Sequence, residues 1–339
     1  EKRKRERDEV LRREAEEARR KREMEEALPR EAEKKTAQVS QTAEMLRRSY
    51  AWVWLAAISI VVFGAIFFFI REANLASAEI PAPPAGNLLP SEEKPAEIPT
   101  RPVGSGYTID LGSGIQLEMV WIPNGSFIMG SPSGESGRDD DEGPQTNVRL
   151  EGFWMGRYEV TQAQYQAIMG TNPSDFSGAN NPVERVSWNR AMEFSRKLSE
   201  RTGENYTLPT EAQWEYACRA GTTSAYYFGN DSGQLENYAW FDSKYGGTTH
   251  PVGQKQPNGW GLYDMHGNVW EWCLSLYRPY PYSETDGRNS ESYTSSARVL
   301  RGGSRGSNPE NCRSAGRGRN APARGVDGLG FRVVCSPRT

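Results

Sequence analysis

The sequence contains few histidines and has a net charge near zero, and both properties limit the functions that the protein can have. Only two of its 339 residues are histidines, His250 and His266, and no carboxylate motif accompanies them. Two isolated histidines give no basis for a Ser-His-Asp catalytic triad. The 41 basic residues are balanced by 44 acidic ones, for a net charge of -3. Because nucleic-acid-binding domains usually carry a basic excess, we expect no nucleic-acid partner.

Cysteine is also scarce, and its four copies all lie in the C-terminal part of the chain. They are Cys218, Cys273, Cys312 and Cys335. All four follow a long hydrophobic segment, which is the arrangement expected of a domain exported to an oxidising compartment. We therefore expect a disulfide, although the sequence does not choose among the three pairings that four cysteines allow. The alternative is a set of buried free thiols.

The hydrophobic segment at 51–70 (AWVWLAAISIVVFGAIFFFI) carries no charge. About 20 apolar residues are enough to span the roughly 30 Å hydrocarbon core of a bilayer. Arg47 and Arg48 precede it, so the positive-inside rule places residues 1–48 in the cytoplasm and the C-terminal part outside it. The sequence thus predicts a transmembrane helix at 49–71 in a single-pass membrane protein, with a periplasmic or extracellular C-terminal domain and the lipid bilayer as a partner.

The remaining chain divides by composition into three parts. Residues 1–48 are rich in Glu, Lys, Arg and Ala and predict a charged cytoplasmic arm, either helical or disordered. Residues 72–106 predict a linker rich in Pro, Ala and Glu. Residues 107–337 contain most of the glycine, tryptophan and tyrosine and predict the folded domain. The arm and the membrane helix together offer a surface for other subunits of a membrane complex.

The domain at 107–337 has the patterns of an α+β protein. Strands are predicted at 119–122, 126–129 and 153–158, the first two separated by a Pro-Asn-Gly turn. Helices are predicted at 161–169 and from Thr210 onward, each opening on a threonine that caps the first turn. A third helix is predicted at 187–201, where apolar residues recur every three to four positions. Beyond Gly221 the pattern indicates mostly turns and short segments.

The tail at 298–335 is a polar stretch held between two apolar runs. Val299-Leu300 and 331–334 read as strands, and the intervening residues are mainly Gly, Arg, Asn, Pro and Ala. A long polar loop on a rigid scaffold is typical of a binding or catalytic loop.

Seven strings occur in one order along the domain: WIPNGSFIMGS (121–131), EVTQAQY (159–165), PVERVSW (182–188), LPTEAQWEYACRAG (208–221), NGWGLYDMHGNVWEW (258–272), RGGS (301–304) and GFRVV (330–334). This series resembles the formylglycine-generating enzyme family, also called the sulfatase-modifying-factor domain. The resemblance covers about 107–335. It implies a variant of the C-type lectin fold with little regular secondary structure.

The resemblance also implies a chemistry that this chain does not match. In the family, two cysteines with four residues between them follow the RGGS-like string and hold the copper that oxidises a substrate cysteine. Here only Cys312 follows Ser304 in that stretch, and Cu(I) prefers soft sulfur ligands. We therefore expect no copper and no catalysis; if the domain were active, Cys312 and Ser304 would be the candidates. The iron-dependent sulfoxide synthases of the same family need a histidine cluster, which two histidines do not supply.

The resemblance further implies structural calcium. Backbone and side-chain oxygens in a tight loop suit this ion. The matching positions are Gly267, Asn268, Val269 and Glu271 for one site, and Asn237 with Tyr238 for a second. The alternative at the first site is a pair of tryptophans packed under a turn.

The tail is then expected to be a recognition surface for a protein or glycan ligand. The predicted ligand-binding residues are Arg305, Ser307, Arg317, Arg319, Asn320, Arg324 and Asp327. Arg301 and Arg332 are instead expected to stack on tryptophans or pair with buried acids. The composition of 313–329 also resembles the variable region of proteins diversified by retroelements. The sequence thus leaves four functions open: a non-catalytic recognition module, a copper-dependent cysteine oxidase, a diversified ligand-binding protein and a structural subunit.

Overall fold

The computed structural model describes residues 102–242, 247–292 and 295–336. The predicted arm (1–48), the predicted membrane segment (49–71) and most of the predicted linker (72–106) lie outside these residues. Within the described ranges no helix is both long enough and apolar enough to span a bilayer.

The described residues form three β-sheets. The first has the order β1 (Gly106–Asp110), β2 (Gln116–Ile122), β5 (Phe153–Gly156), β11 (Val334–Cys335) and β6 (Tyr206–Thr207). The second has the order β10 (Leu329–Gly330), β7 (Trp270–Leu276), β8 (Arg298–Arg301) and β9 (Arg317–Asn320). In the third, β3 (Gly125–Met129) pairs with β4 (Thr146–Leu150). The strand predicted at Val299-Leu300 is therefore part of β8, whereas of the strand predicted at 331–334 only Val334 belongs to a sheet, in β11.

Three α-helices open on hydroxyl caps, of which those at Thr161 and Thr210 were predicted. Helix α1 (Gln162–Met169) is capped by Thr161, α2 (Trp188–Thr202) by Ser187, and α3 (Glu211–Arg219) by Thr210. The side-chain oxygen of each cap accepts a hydrogen bond from a backbone N–H of the first turn, which has no partner within the helix itself. The three predicted helices are confirmed. A helical turn at Pro309–Cys312 interrupts the tail.

Two large apolar clusters lie against the first sheet. One contains Trp188, Phe194 and Leu198 of α2 together with Phe331. The other contains Trp214 of α3 and residues of β2 and β5. The helices α2 and α3 are therefore fixed by buried side chains, and their N-terminal ends keep a defined position relative to the tail.

The strands predicted at 119–122 and 126–129 are confirmed. They join different sheets, because β2 pairs with β1 and β5 whereas β3 pairs with β4. The strand β7 was not predicted, because its alternation is hidden by burial of nearly every side chain.

The disulfide expected from the sequence is not formed. Cys218, Cys273, Cys312 and Cys335 are all buried free thiols. They are distributed over three apolar clusters, where each behaves as a small hydrophobic residue.

Candidate functional site

The base of the tail is fixed by buried ion pairs. Arg301 on β8 contacts two carboxylates of α3, with Nη2 2.7 Å from Glu215 Oε2 and Nε 3.2 Å from Glu211 Oε1. Arg317 on β9 donates to the same Glu211 over 2.6 Å and 3.1 Å. All four side chains have no exposed surface. Breaking such pairs is costly, because it leaves an unpaired charge in the interior.

Two further arginines of the tail are buried in the same way. Arg313 pairs with Glu135 over 2.6 Å and with Glu142 over 2.8 Å. Arg332 binds both oxygens of Glu271, over 2.6 Å and 2.7 Å. The predicted structural role of Arg301 and Arg332 is confirmed.

The environment of Cys312 is that of a core residue. It has no exposed surface and packs in an apolar cluster with Ala225, Leu235 and Phe241. The sulfur lies so close to Gly303 that a Cβ there would stand 2.6 Å from it. Burial raises the pKa of the Cys312 thiol far above its ordinary value. The thiolate that a metal or a nucleophilic reaction requires is therefore disfavoured.

Ser307 occupies the position of the first cysteine of the copper pair, with four residues between it and Cys312. Its hydroxyl oxygen accepts a hydrogen bond from the Ser304 backbone N–H over 3.0 Å and lies 3.3 Å from the Ser304 hydroxyl. Ser307 is 8% exposed. These two hydroxyls stabilise the turn after β8, and neither is a soft ligand of the kind that Cu(I) prefers.

A different group of side chains is arranged closely enough for a metal ion. Asp139, Asp141 and Glu142 place their oxygens within 4.8 Å of one another. Glu142 already pairs with Arg313 and accepts from the Ser131 hydroxyl. Among the residues the structure describes, no group of three or more His, Cys, Asp and Glu ligands offers sulfur.

Glu271 does not fit the calcium-ligand role predicted for it. Both of its oxygens face the guanidinium of Arg332, and Oε2 also accepts from Trp214 Nε1 over 2.9 Å. A cation at these oxygens would lie next to a buried positive charge. The carboxylate is held by an arginine instead.

The other residues of the first predicted calcium site have protein partners. Asn268 donates to Glu159 over 2.8 Å, and its side-chain oxygen accepts from the His250 backbone over 3.1 Å. The backbone N–H of Val269 donates to Glu159, and that of Gly267 donates to the Gly302 carbonyl. The side chains of this loop thus bind protein atoms, which leaves only its backbone carbonyls for calcium.

The second predicted calcium site has similar local contacts. The Asn237 carbonyl accepts from the Gln256 N–H over 3.1 Å, and the Tyr238 N–H donates to the Leu235 carbonyl over 2.9 Å. These contacts satisfy the backbone at the end of a helical turn. The calcium sites stay a prediction, carried by the resemblance alone.

The predicted ligand-binding residues separate into a buried group and an exposed group. Arg317 lies in the interior, where it pairs with Glu211, and Ser307 is nearly covered. Arg319, Arg324 and Asp327 are exposed, and Asn320 is half-buried. They share the surface of the tail.

Arg305 stands at the edge of this surface. Its Nη2 lies 2.7 Å from Asp327 Oδ2, and its guanidinium lies 4.4 Å from the centre of the Phe176 ring. The side chain of Arg305 is 13% exposed and that of Asp327 is 54% exposed. The pair closes one end of the tail surface and leaves the carboxylate accessible.

A cleft beside this surface was not predicted from the sequence. It has a volume of about 430 Å3, and its wall consists of Tyr165, Thr171, Pro173, Arg185, Ser187, Arg190, Ala323 and Gly325. The residues come from α1, from the segment between α1 and α2, from the start of α2 and from the tail. Tyr165 is the last residue of the string EVTQAQY, and Ser187 lies within the string PVERVSW. Nothing in these two strings indicates that Tyr165 and Ser187 meet at a cleft.

Comparisons with known proteins agree with this architecture. Residues 115–337 match the model of the Sulfatase-modifying factor enzyme 1-like domain. The chain is 30% identical over 292 residues to the formylglycine-generating enzyme of Thermomonospora curvata, covering 65% of this chain and 93% of that protein. It is 34% identical over 177 residues to the chaperone protein LppX of Paenibacillus barcinonensis, covering 38% of this chain and 63% of that protein.

A solved structure, Treponema denticola variable protein 1, has the same fold. It superposes with a TM-score of 0.63 at 30% identity, covering 70% of this chain and all of that one. The predicted α+β fold of the formylglycine-generating-enzyme type is confirmed.

Proposed function

The chain belongs to the sulfatase-modifying factor enzyme 1-like family, and we propose that it is a non-catalytic recognition module of that family. The module is anchored in a membrane by the segment at 49–71 and is displayed outside the cytoplasm. Its ligand face is formed by residues 305–329 of the tail, which bind a protein or glycan.

The observation that carries this proposal is the environment of Cys312. The thiol is wholly buried among apolar side chains, and its pKa is raised by that burial. The position of the other cysteine, five residues earlier, holds the Ser307 hydroxyl. A two-sulfur copper site needs two thiolates that approach each other, and this chain offers one protonated thiol and one hydroxyl.

The construction of the tail supports a binding role. Four arginines, Arg301, Arg313, Arg317 and Arg332, tie it to buried carboxylates. A surface between such fixed points can change its exposed residues without loss of the fold, because those residues take no part in the core. Rigid presentation also lowers the entropy lost on binding.

The strongest alternative is a copper-dependent cysteine oxidase. It is favoured by the relative named formylglycine-generating enzyme, of which this chain covers 93%. In that case Cys312 would have to become accessible and acquire a second ligand. Ser304 would stand beside the reacting sulfur.

Copper titration of the full chain in detergent tests the choice. We expect no stoichiometric Cu(I) binding and no oxidation of a cysteine-containing peptide above the rate without protein. A Ser307→Cys variant restores two sulfurs at the family spacing and should bind copper more tightly than the wild type. Peptide turnover by the wild type that disappears in Cys312→Ala would contradict the proposal.

A diversified ligand face is a narrower form of the same proposal. The chain resembles a protein whose name describes it as variable, and Ala321, Ala323, Arg324 and Asp327 of its own tail are exposed. The test is the DNA downstream of the gene. A near-repeat of the 3′ coding end that differs at adenines, next to a reverse transcriptase, would support diversification, and its absence would contradict it.

Membrane anchoring and assembly need separate measurements. Alkaline carbonate should leave the full chain in the membrane fraction and should release a variant lacking 49–71. Purification in mild detergent then distinguishes a lone receptor from a subunit of a complex, because a subunit retains partners at fixed stoichiometry.

A further inference from the structure

The cleft beside the tail has the lining of an anion site. Its lining residues include two arginines, Arg185 and Arg190, and three residues that carry hydroxyls, Tyr165, Thr171 and Ser187. Its wall contains no carboxylate. The carboxylates that pair with the two arginines, Asp175 and Glu193, lie outside the lining.

Both arginines keep donors for a ligand. Arg185 binds Asp175 through Nη1, over 2.6 Å and 2.7 Å, and Arg190 binds Glu193 through Nη1 over 2.6 Å. Each guanidinium has five N–H donors, so each of these pairs leaves most of them unused. The pairs lie at the surface, where ion pairs are weak and readily shared with a second anion.

The cleft is also at the positive end of a long helix. Ser187 is the N-cap of α2, which runs for 15 residues. Partial positive charge at a helix N-terminus favours a negatively charged group there. The helix dipole and the two arginines therefore act in the same direction.

Tyr165 places a hydroxyl-bearing ring at the cleft. Tyr165 is 3% exposed, and among the described residues its hydroxyl has no hydrogen-bond partner. Its ring is fixed by stacking on Phe194 at 5.7 Å and by an edge contact with Phe331 at 6.3 Å. Phenylalanine would fill the same space, so packing does not explain the hydroxyl. The hydroxyl is therefore available to a group bound in the cleft.

The tail forms the other wall of the cleft. The Arg185 N–H donates to the Val326 carbonyl over 3.2 Å, and a Cβ at Gly325 would stand 2.4 Å from the Arg185 carbonyl oxygen. The Asn189 N–H donates to the Pro322 carbonyl over 3.2 Å. These contacts hold Ala323 and Gly325 against the cleft, which is thus continuous with the ligand face.

We propose that this cleft binds an oxyanion group, a sulfate, phosphate or carboxylate, carried by the ligand of the tail. A volume of about 430 Å3 is within the range of small-molecule pockets, about 300–1,000 Å3, and is too large for an inorganic ion alone. The group therefore belongs to a unit about the size of a monosaccharide. This inference rests on the proposed recognition function, because the tail supplies one wall.

Calorimetric titration of the full chain in detergent tests the proposal. The probes are inorganic sulfate, inorganic phosphate and glucuronate, with glucose as the uncharged control. We expect saturable binding of at least one oxyanion and none of glucose. The probe that binds most tightly identifies the kind of oxyanion that the cleft prefers: sulfate, phosphate or carboxylate.

Two variants locate the binding and a third controls for charge. Tyr165→Phe removes one hydroxyl and should weaken binding about tenfold, as expected for a hydrogen bond to a charged group, without lowering the melting temperature. Ala323→Trp fills the cleft from an exposed position and should abolish binding. Arg196→Gln, further along α2, outside the lining of the cleft and paired with Glu200, should bind as the wild type does.

The proposal is overturned by the absence of saturable oxyanion binding, by equal binding of glucose, by wild-type affinity in Tyr165→Phe, or by saturable binding in Ala323→Trp. None of these results depends on copper or on peptide oxidation. Failure of the anion site and failure of the non-catalytic function are therefore distinguishable.

Discussion

Replacing Glu271 by glutamine separates two reasons for its burial, a calcium site and an ion pair. In the structure both oxygens of Glu271 bind Arg332, and the two side chains are 1% and 0% exposed. The variant leaves the guanidinium with backbone carbonyls, those of Gly156 at 3.2 Å and Tyr263 at 3.0 Å. We therefore expect an uncompensated buried charge.

Loss of one member of a buried ion pair costs about 3–5 kcal/mol. For a domain of this size each kcal/mol lowers the melting temperature by roughly 2–4 °C, so Glu271→Gln should lower it by about 6–20 °C. The Glu271→Gln, Arg332→Met double variant removes both charges and should recover part of the loss. The assay is thermal unfolding followed by circular dichroism, with and without a calcium chelator.

The two reasons predict opposite results with the chelator. If the ion pair is responsible, the chelator leaves the difference between the variant and the wild type unchanged. The reasoning is refuted if chelation lowers the wild type to the melting temperature of Glu271→Gln. It is also refuted if the double variant is less stable than the single one.

Three other measurements test the interior and the tail. Arg317→Ala leaves part of Glu211 unpaired and should lower the free energy of unfolding in urea by about 3–5 kcal/mol. Arg319 is two positions along β9 and exposed, so Arg319→Ala should change this free energy by less than about 0.5 kcal/mol. Equal losses of stability in the two variants would contradict the argument from burial. Burial raises the pKa of Asp264 to about 6, above its unfolded value of about 3.9, so the folded state binds an extra proton between these values. The free energy of unfolding should then fall by on the order of 3 kcal/mol from pH 4 to pH 7 through this group, and Asp264→Asn should flatten the profile; an unchanged profile would rule this out. Because burial raises the pKa of the Cys312 thiol, it should resist an aromatic disulfide reagent at pH 8 until the protein is unfolded, and rapid labelling of the folded protein would show an exposed thiolate.

The helices were predictable because their signals are local. Thr161, Ser187 and Thr210 each cap a helix through a backbone N–H two or three residues on, and a short segment contains all the required atoms. The burial of Arg301 and Arg332 was predictable for another reason. Each lies inside a string that the family resemblance identifies.

The burial of Arg317 could not be predicted in this way. Arg317 and Arg319 lie on the same side of β9 and both stack on Tyr277, at 4.6 Å and 4.7 Å. Only Arg317 reaches a buried carboxylate, that of Glu211, which is 106 positions away in sequence. The sequence around the two arginines does not distinguish them, so it could not indicate which one is buried.

The sequence by itself determined the family, the positions of the helices and the departure at Cys312, because each depends on residues that are close together in the chain. Only the tertiary structure decided which polar residues of the tail are structural and which are free to bind. It also brought Tyr165, Arg185, Arg190 and Ala323 to one cleft. Ion pairs and clefts depend on distances across the fold, and chain spacing does not specify such distances.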